Sequence, residues 1–185
     1  MKQLAIGIEE EYLILSKDTQ ALENRFSELL SVHNDPKCKL KSETHQCCVE
    51  VATTPCRTLQ VLKSAVRYQR ESVSKSLEKL NCIPAAIGSH PFTSWMDCAL
   101  TEESRRMESL ELFQDIHRRA VTYALHIHVE VPSKDAAMYI ANHAREWIPF
   151  FYAVSTSSPF RESRPTGLKS SRLFSAFSYP RTGIP

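Results

Sequence analysis

Gly7-Ile8-Glu9-Glu10-Glu11-Tyr12, set between Leu4-Ala5-Ile6 and Leu13-Ile14-Leu15, is an apolar run interrupted by three acids. Its length and apolar flanks predict a core strand. Successive side chains of a strand point to opposite faces. Glu9 and Glu11 therefore share one face, roughly 7 Å apart, while Glu10 points away with Ile8 and Tyr12. Acids are seldom buried unless they are paired or hold a metal. An edge strand with one wet face is the alternative.

The setting is a globular composition. The chain has 185 residues, 42% of them apolar and 24% charged, enough for one domain with a real core. A net charge of +2, with Lys and Arg scattered among Asp and Glu, argues against a nucleic-acid partner. The first apolar run is cut by glutamates, which excludes a signal peptide, and no run approaches the roughly 20 apolar residues of a membrane span. A cytoplasmic protein is expected. The six cysteines form no C-x-x-C pair and are read as reduced core thiols, not as a disulfide framework or zinc site.

Outward from the first strand, strands and helices alternate. Leu22, Phe26, Leu29 and Leu30 recur at helical spacing until Asn34-Asp35-Pro36. Lys39 to Ser42 and Gln46 to Thr54 read as short strands, and Leu59, Leu62, Val66, Val73, Leu77 and Leu80 as a long amphipathic helix. Cys82 to Ile87 reads as a strand. Thr101 is the expected cap of a helix that turns Met107, Leu110, Phe113 and Ile116 inward. Tyr123 to Val131 reads as a strand and Ser133 as the cap of the next helix. Phe150 to Val154 is a further apolar segment. The expected fold is α+β, an antiparallel or mixed sheet with helices on one face.

Two more strands carry chemistry. In Leu125-His126-Ile127-His128-Val129-Glu130-Val131 the apolar residues form one face and His126, His128 and Glu130 the other. That face is either a metal or phosphate site or a half-exposed surface. Glu50 is the only acid in Gln46 to Thr54. His90 either binds a ligand or stabilises its turn. Trp95 and Trp147 read as core or groove-lining rings, and His33, His45, His117 and His143 as surface residues.

The ordered set G-I-E-E-E-Y, V-E-V-A-T-x-P, G-S-H-P-F-x-x-W, H-x-H-V and S-S-P-F with T-G-L-x-S-x-R resembles the carboxylate-amine ligases of the glutamate-cysteine ligase type 2 family, which are similar to glutamine synthetase. The resemblance implies a glutamine-synthetase-like catalytic fold, with residues 1–185 as a single unit that stops at Pro185 and is incomplete at its C-terminus. It implies ATP and Mg2+ as cofactors, and glutamate with cysteine or another amine as substrates, joined through an acyl-phosphate. Glu9, Glu11, Glu50 and His126 would hold Mg2+. His128 would sit near the ATP phosphates, and Arg172 would contact a phosphate or substrate carboxylate, with Arg164 as second candidate.

Ala124, Glu130, Ser163 and Pro165 depart from the family pattern, and Glu130 adds a carboxylate on the expected metal face. A homo-oligomer is a further expectation, because a missing half would leave apolar surface exposed. Two other classes compete with the ligase. One is a truncated, non-catalytic relative that keeps the fold and at most binds nucleotide. The other is a metal-dependent hydrolase, ranked last because no general base is placed beside the acids.

Overall fold

A computed structural model describes residues 4–180 and 182. The strand expected at the glutamates is β1, Ile6–Ser16, and it is central to the sheet. β3, Cys48–Ala52, lies along one of its edges, with β2, Leu40–Ser42, outside it. Two strands share the other edge: β4, Cys82–Ala85, pairs with Leu13 to Ser16, and β5, Leu125–Val129, pairs with Ile6 to Glu10. Every pairing is antiparallel.

The two-residue period of β1 sorts its side chains into two layers. Tyr12 and Ile14, with Val49 and Val51 of β3, face helix α1, Phe26–Val32, and helix α2, Leu59–Glu78. Phe26, Leu29, Val73 and Leu77 complete this core. Burying each such side chain contributes about 1.5–3 kcal/mol. Thr58 caps α2 by accepting a hydrogen bond from the Val61 amide at 3.2 Å. Leu62, Gln69, Val73, Ser76 and Leu77 form its buried stripe, while Leu59, expected inward, lies in the first turn beyond the sheet and is exposed.

Glu10 belongs to this helix-facing layer. It is buried, accepts from Arg70 Nε of α2 at 3.0 Å, and is hydrogen-bonded by the Tyr12 hydroxyl. On the opposite face, Leu13 and Leu15 pack with Cys48 and Tyr123 under partly buried Leu22, Ile83, Ile87 and Val121. That face is therefore capped at the Leu13 end and left for Glu9 and Glu11 at the other.

The second half of the chain is less compact. The helix expected from Thr101 is two helices, α3, Ser104–Phe113, and α4, Asp115–Arg118, broken at Gln114, whose φ of 45° lies in the left-handed region. Thr101 is buried and does not cap. Glu103 precedes the first turn without a side-chain cap, and Met107 is exposed. Ser133 does cap α5, Lys134–Ala144, accepting from the Ala136 amide at 3.1 Å. The apolar segment that follows is α6, Ile148–Val154. No residue of α5 or α6 is buried, and Tyr139, Trp147, Phe150 and Phe151 are exposed. The apolar face of β5 is uncovered too: Leu125, Ile127 and Val129 are 49%, 63% and 53% exposed. A hairpin of β6, Phe160–Arg161, and β7, Arg164–Pro165, leads to α7, Arg172–Phe177.

Two groups of residues sit elsewhere than expected. His45 and His117 are buried: His45 Nε2 bonds the Arg118 carbonyl at 3.0 Å and its Nδ1 the Tyr123 hydroxyl at 3.2 Å, while His117 Nδ1 lies 3.2 Å from the Tyr179 hydroxyl, so partners distant in sequence hold both rings where local polarity pointed to the surface. Trp147 is exposed because nothing among the described residues covers α6, whereas Trp95 is partly buried beneath the Arg119 guanidinium, 5.0 Å from the ring centre. The cysteines form no disulfide, and all but Cys98 are buried. Among the described residues no helix is long and apolar enough to cross a membrane.

Candidate functional site

Register assembles the site. Glu11 stands opposite Glu50 across the β1–β3 ladder, Lys41 opposite Glu50 across β2–β3, and His126 opposite Glu9 across β1–β5. Residues opposed in an antiparallel pair share a face. Glu9, Glu11, Glu50, His126 and Lys41 are therefore on the face away from α2. His126 Nδ1 lies 3.1 Å from Glu9 Oε2 and 4.0 Å from Glu11 Oε1, and His128 Nε2 lies 3.2 Å from the same Glu9 oxygen. Glu11 Oε2 also accepts from the Ala124 amide at 2.8 Å.

The sequence reading missed two members. Glu43, in the turn between β2 and β3, brings a carboxylate oxygen within 4.8 Å of those of Glu11 and Glu50. Lys41 Nζ bridges Glu50 and Glu9, the latter at 3.4 Å. The spacing of Lys41 and Glu43, two apart, was the available signal, but Glu43 lies past the strand end where periodicity stops counting. Arg106 of α3 pairs with Glu43 at 3.3 Å.

Crowding of the acids shows in their protonation. Burial, then the neighbouring Glu9, pushes Glu50 up to about 7, while the hydrogen bond with Glu50 and the two imidazoles hold Glu9 down at about 2. Glu9 and Glu50 thus titrate as a unit around one proton. Burial also raises Glu11. Three ionised carboxylates about 5 Å apart repel by roughly 3 kcal/mol per pair at an effective dielectric near 20. A cation relieves this, and Lys41 already places a positive charge between two of the acids. Oxygen-rich donors of this kind suit Mg2+, which prefers hard ligands and keeps exchangeable waters. The residues present fit such an ion.

The remaining candidates lie around this cluster. Glu130 does not crowd it: its carboxylate accepts from the Ala5 amide at 2.9 Å and pairs with Arg57 at the end of β1. An open cleft of about 540 Å³, bordered by Gly7, Glu9, Thr53, Arg57, His128 and Glu130, adjoins the cluster there. Arg172 is outside the cluster. Its Nη1 donates to the Tyr123 carbonyl at 3.1 Å, one residue before the amide that binds Glu11. Arg164 is exposed on β7. His90 stabilises its turn, with Nε2 on the Gln20 carbonyl at 2.9 Å and Nδ1 accepting from the Thr93 amide at 3.0 Å.

An antiparallel sheet with helices on one face is a fold also found in solved ligases. A glutamate–cysteine ligase from Francisella tularensis, in complex with AMP, superimposes with a TM-score of 0.55 at 13% identity, over 79% of this chain and 30% of that one. A bifunctional glutathione synthetase from Pasteurella multocida gives 0.51 at 15% identity, over 79% and 19%. These establish the fold. The profile of "Glutamate-cysteine ligase family 2" matches residues 5–185, and the chain belongs to that family. It is 36% identical over 186 aligned positions to a candidate glutamate–cysteine ligase 2 of Sorangium cellulosum, and 35% identical over 181 to one of Chloroflexus aurantiacus. Those alignments cover 99% and 97% of this chain but 50% and 46% of the relatives, so the chain spans about half their length.

Proposed function

We propose that this chain is the metal-binding half of an ATP- and Mg2+-dependent carboxylate-amine ligase that joins glutamate, or a similar carboxylate, to the amine of cysteine or a related compound. The observation that carries the reading is the convergence of Glu9, Glu11, Glu50 and His126 from three strands onto one open sheet face. These four, with Glu43, would hold Mg2+. When bound, the metal neutralises phosphate charge and favours phosphoryl transfer to the substrate carboxylate.

The chain's own groups do the rest. His128, 67% exposed at the mouth of the cleft, points an imidazole toward the place proposed for the ATP phosphates. Lys41, which pairs with Glu50 and Glu9, holds an ammonium beside the proposed Mg2+ position, where it would add positive charge for a phosphate oxygen. Positioning and charge neutralisation suffice for acyl-phosphate formation, and the amine then displaces phosphate. No side-chain nucleophile is required.

The test is calorimetric titration with Mg2+ of the wild type, Glu11→Gln and Glu50→Gln. Each substitution should weaken binding about tenfold or more, by analogy with the loss of one charged ligand. Unchanged affinity in both would remove the metal assignment. Product analysis separates a ligase, which forms ADP and an amide only when an amine is supplied, from a hydrolase. A non-catalytic relative would bind Mg2+ and nucleotide and form neither product.

A further inference from the structure

Cys47 and Cys98, far apart in sequence, meet beside an isolated antiparallel bridge between His45 and Leu100. The Gln46 amide donates to the Ala99 carbonyl at 2.8 Å, and the Thr101 amide to the Thr44 carbonyl at 2.9 Å. Bonds placed on either side of a residue pair make it the closely spaced kind, with Cα atoms about 4.5 Å apart. Beyond the bridge each segment turns. The Cys48 amide donates to the His45 carbonyl at 3.1 Å, and the Cys98 amide to the Trp95 carbonyl at 3.1 Å. Cys47 therefore follows the bridge on one segment and Cys98 precedes it on the other, at the same end.

The two thiols interact directly: Cys98 holds Cys47 below the usual thiol range, and Cys47, with burial, raises Cys98. Two sulfurs thus share one proton. Burial raises Cys38, Cys48 and Cys82 instead. Cys47 is fully buried, with its Sγ 3.8 Å from the Tyr123 hydroxyl. Cys98 is partly exposed between exposed Asp97 and Ala99, and its Sγ donates to the Ser94 carbonyl at 3.6 Å. One sulfur is within reach of solvent and the other stands behind it, the arrangement of an attacking and a resolving cysteine. Asn24 pins the outer segment: its Nδ2 donates to the Asp97 carbonyl at 2.8 Å and its Oδ1 accepts from the Ala99 amide at 2.9 Å.

We propose that Cys47 and Cys98 are a disulfide-forming pair, oxidised in the native fold by a peroxide and restored by a dithiol. Proton transfer from Cys98 to Cys47 leaves the negative charge on the accessible sulfur. That thiolate attacks one oxygen of the peroxide and breaks the O–O bond; Cys98 becomes a sulfenic acid, and the departing hydroxide takes a proton from solvent to give water. Cys47 Sγ then attacks Cys98 Sγ, the S–O bond breaks, and the hydroxide leaves with the Cys47 proton as a second water. Two thiols and one hydrogen peroxide give one disulfide and two waters. A dithiol reverses the change by exchange, leaving as its own disulfide. The bond closes a long loop and ties the turn before β3 to the segment carrying Trp95, which restricts the unfolded chain. It goes beyond the ligase reading and does not depend on it.

The test treats the reduced full chain with stoichiometric hydrogen peroxide, then denatures it, alkylates it with N-ethylmaleimide and maps its peptides by mass. Cys47 and Cys98 should escape alkylation and appear in one cross-linked peptide lighter by two hydrogens, while Cys38, Cys48, Cys56 and Cys82 are alkylated. Cys98→Ser should lose the cross-link and leave Cys47 unoxidised, and Cys47→Ser should stop at a Cys98 sulfenic acid that dimedone traps. Cys98 is partly exposed, so its variant carries the result if the buried Cys47→Ser does not fold. Oxidised wild type should melt about 5 °C or more above the reduced form, and dithiothreitol should remove the difference. Alkylation of both Cys47 and Cys98 after peroxide, a cross-link between any other pair, or an oxidised form that melts no higher than the reduced one overturns the proposal.

Discussion

Glu11 of β1 and Glu50 of β3 face each other directly across an antiparallel ladder, two acids in a relation that ordinarily destabilises a sheet. Lys41, one strand further out and opposite Glu50, offsets part of that repulsion. The remainder has a measurable consequence. Glu50 is raised from 4.5 to about 7, so the stability it contributes is full below about pH 4.5 and is lost as pH rises through about 7. Glu50→Gln without metal should therefore be more stable than the wild type at pH 8 by about 1–3 kcal/mol, with the difference closing below pH 4.5. Urea unfolding across that range checks it, and a constant difference would mean that Glu50 titrates normally.

Glu10 should behave in the opposite sense. Its carboxylate is buried against α2 between Arg70 and Tyr12. Glu10→Gln should spare Mg2+ affinity but destabilise the chain by about 1–3 kcal/mol, less than for a fully buried pair because Arg70 is half exposed. Chemical denaturation and calorimetry on the same variant give both numbers. Loss of Mg2+ binding equal to that of Glu11→Gln would show that the strand's two faces are not independent.

Acid should unfold the chain through its buried histidines. Burial lowers His45 from 6.5 to about 4, and lowers His90 and His117 as well. A histidine kept neutral in the fold contributes stability that is present above about pH 6.5 and lost as pH falls through about 4, amounting to about 3 kcal/mol for His45. His45→Gln should flatten the stability slope over that interval, whereas the exposed His143→Gln should not. Thermal melts at half-unit pH steps distinguish them.

The acid face has only one described wall, and relatives are about twice as long. Residues 1–185 alone should bind nucleotide weakly and form ADP with glutamate and cysteine at least about 10²- to 10³-fold more slowly than an intact relative, the cost of even one missing charge-stabilising donor. The assay is ADP release with and without a supplied second half. Turnover near that of an intact relative would mean that this chain builds a complete site by itself, through self-association or otherwise.

The sequence by itself determined the periodicities. Glu9 and Glu11 on one face of a strand, Glu10 on the other, the H-x-H pair and the lone Glu50 follow from alternation at a period of two, which is local and survives any tertiary arrangement. The family followed from the order of the motifs. Tertiary structure alone decided which strands are neighbours and in what register, and hence that His126 faces Glu9 while Lys41 faces Glu50. It also brought in Glu43 from a turn, buried His45 and His117 among distant partners, and set Arg161 beside Arg172. The alternation of β5 put Leu125, Ile127 and Val129 on one apolar face, and they are exposed, because alternation fixes which side chains share a face and only packing of distant segments decides whether that face is covered.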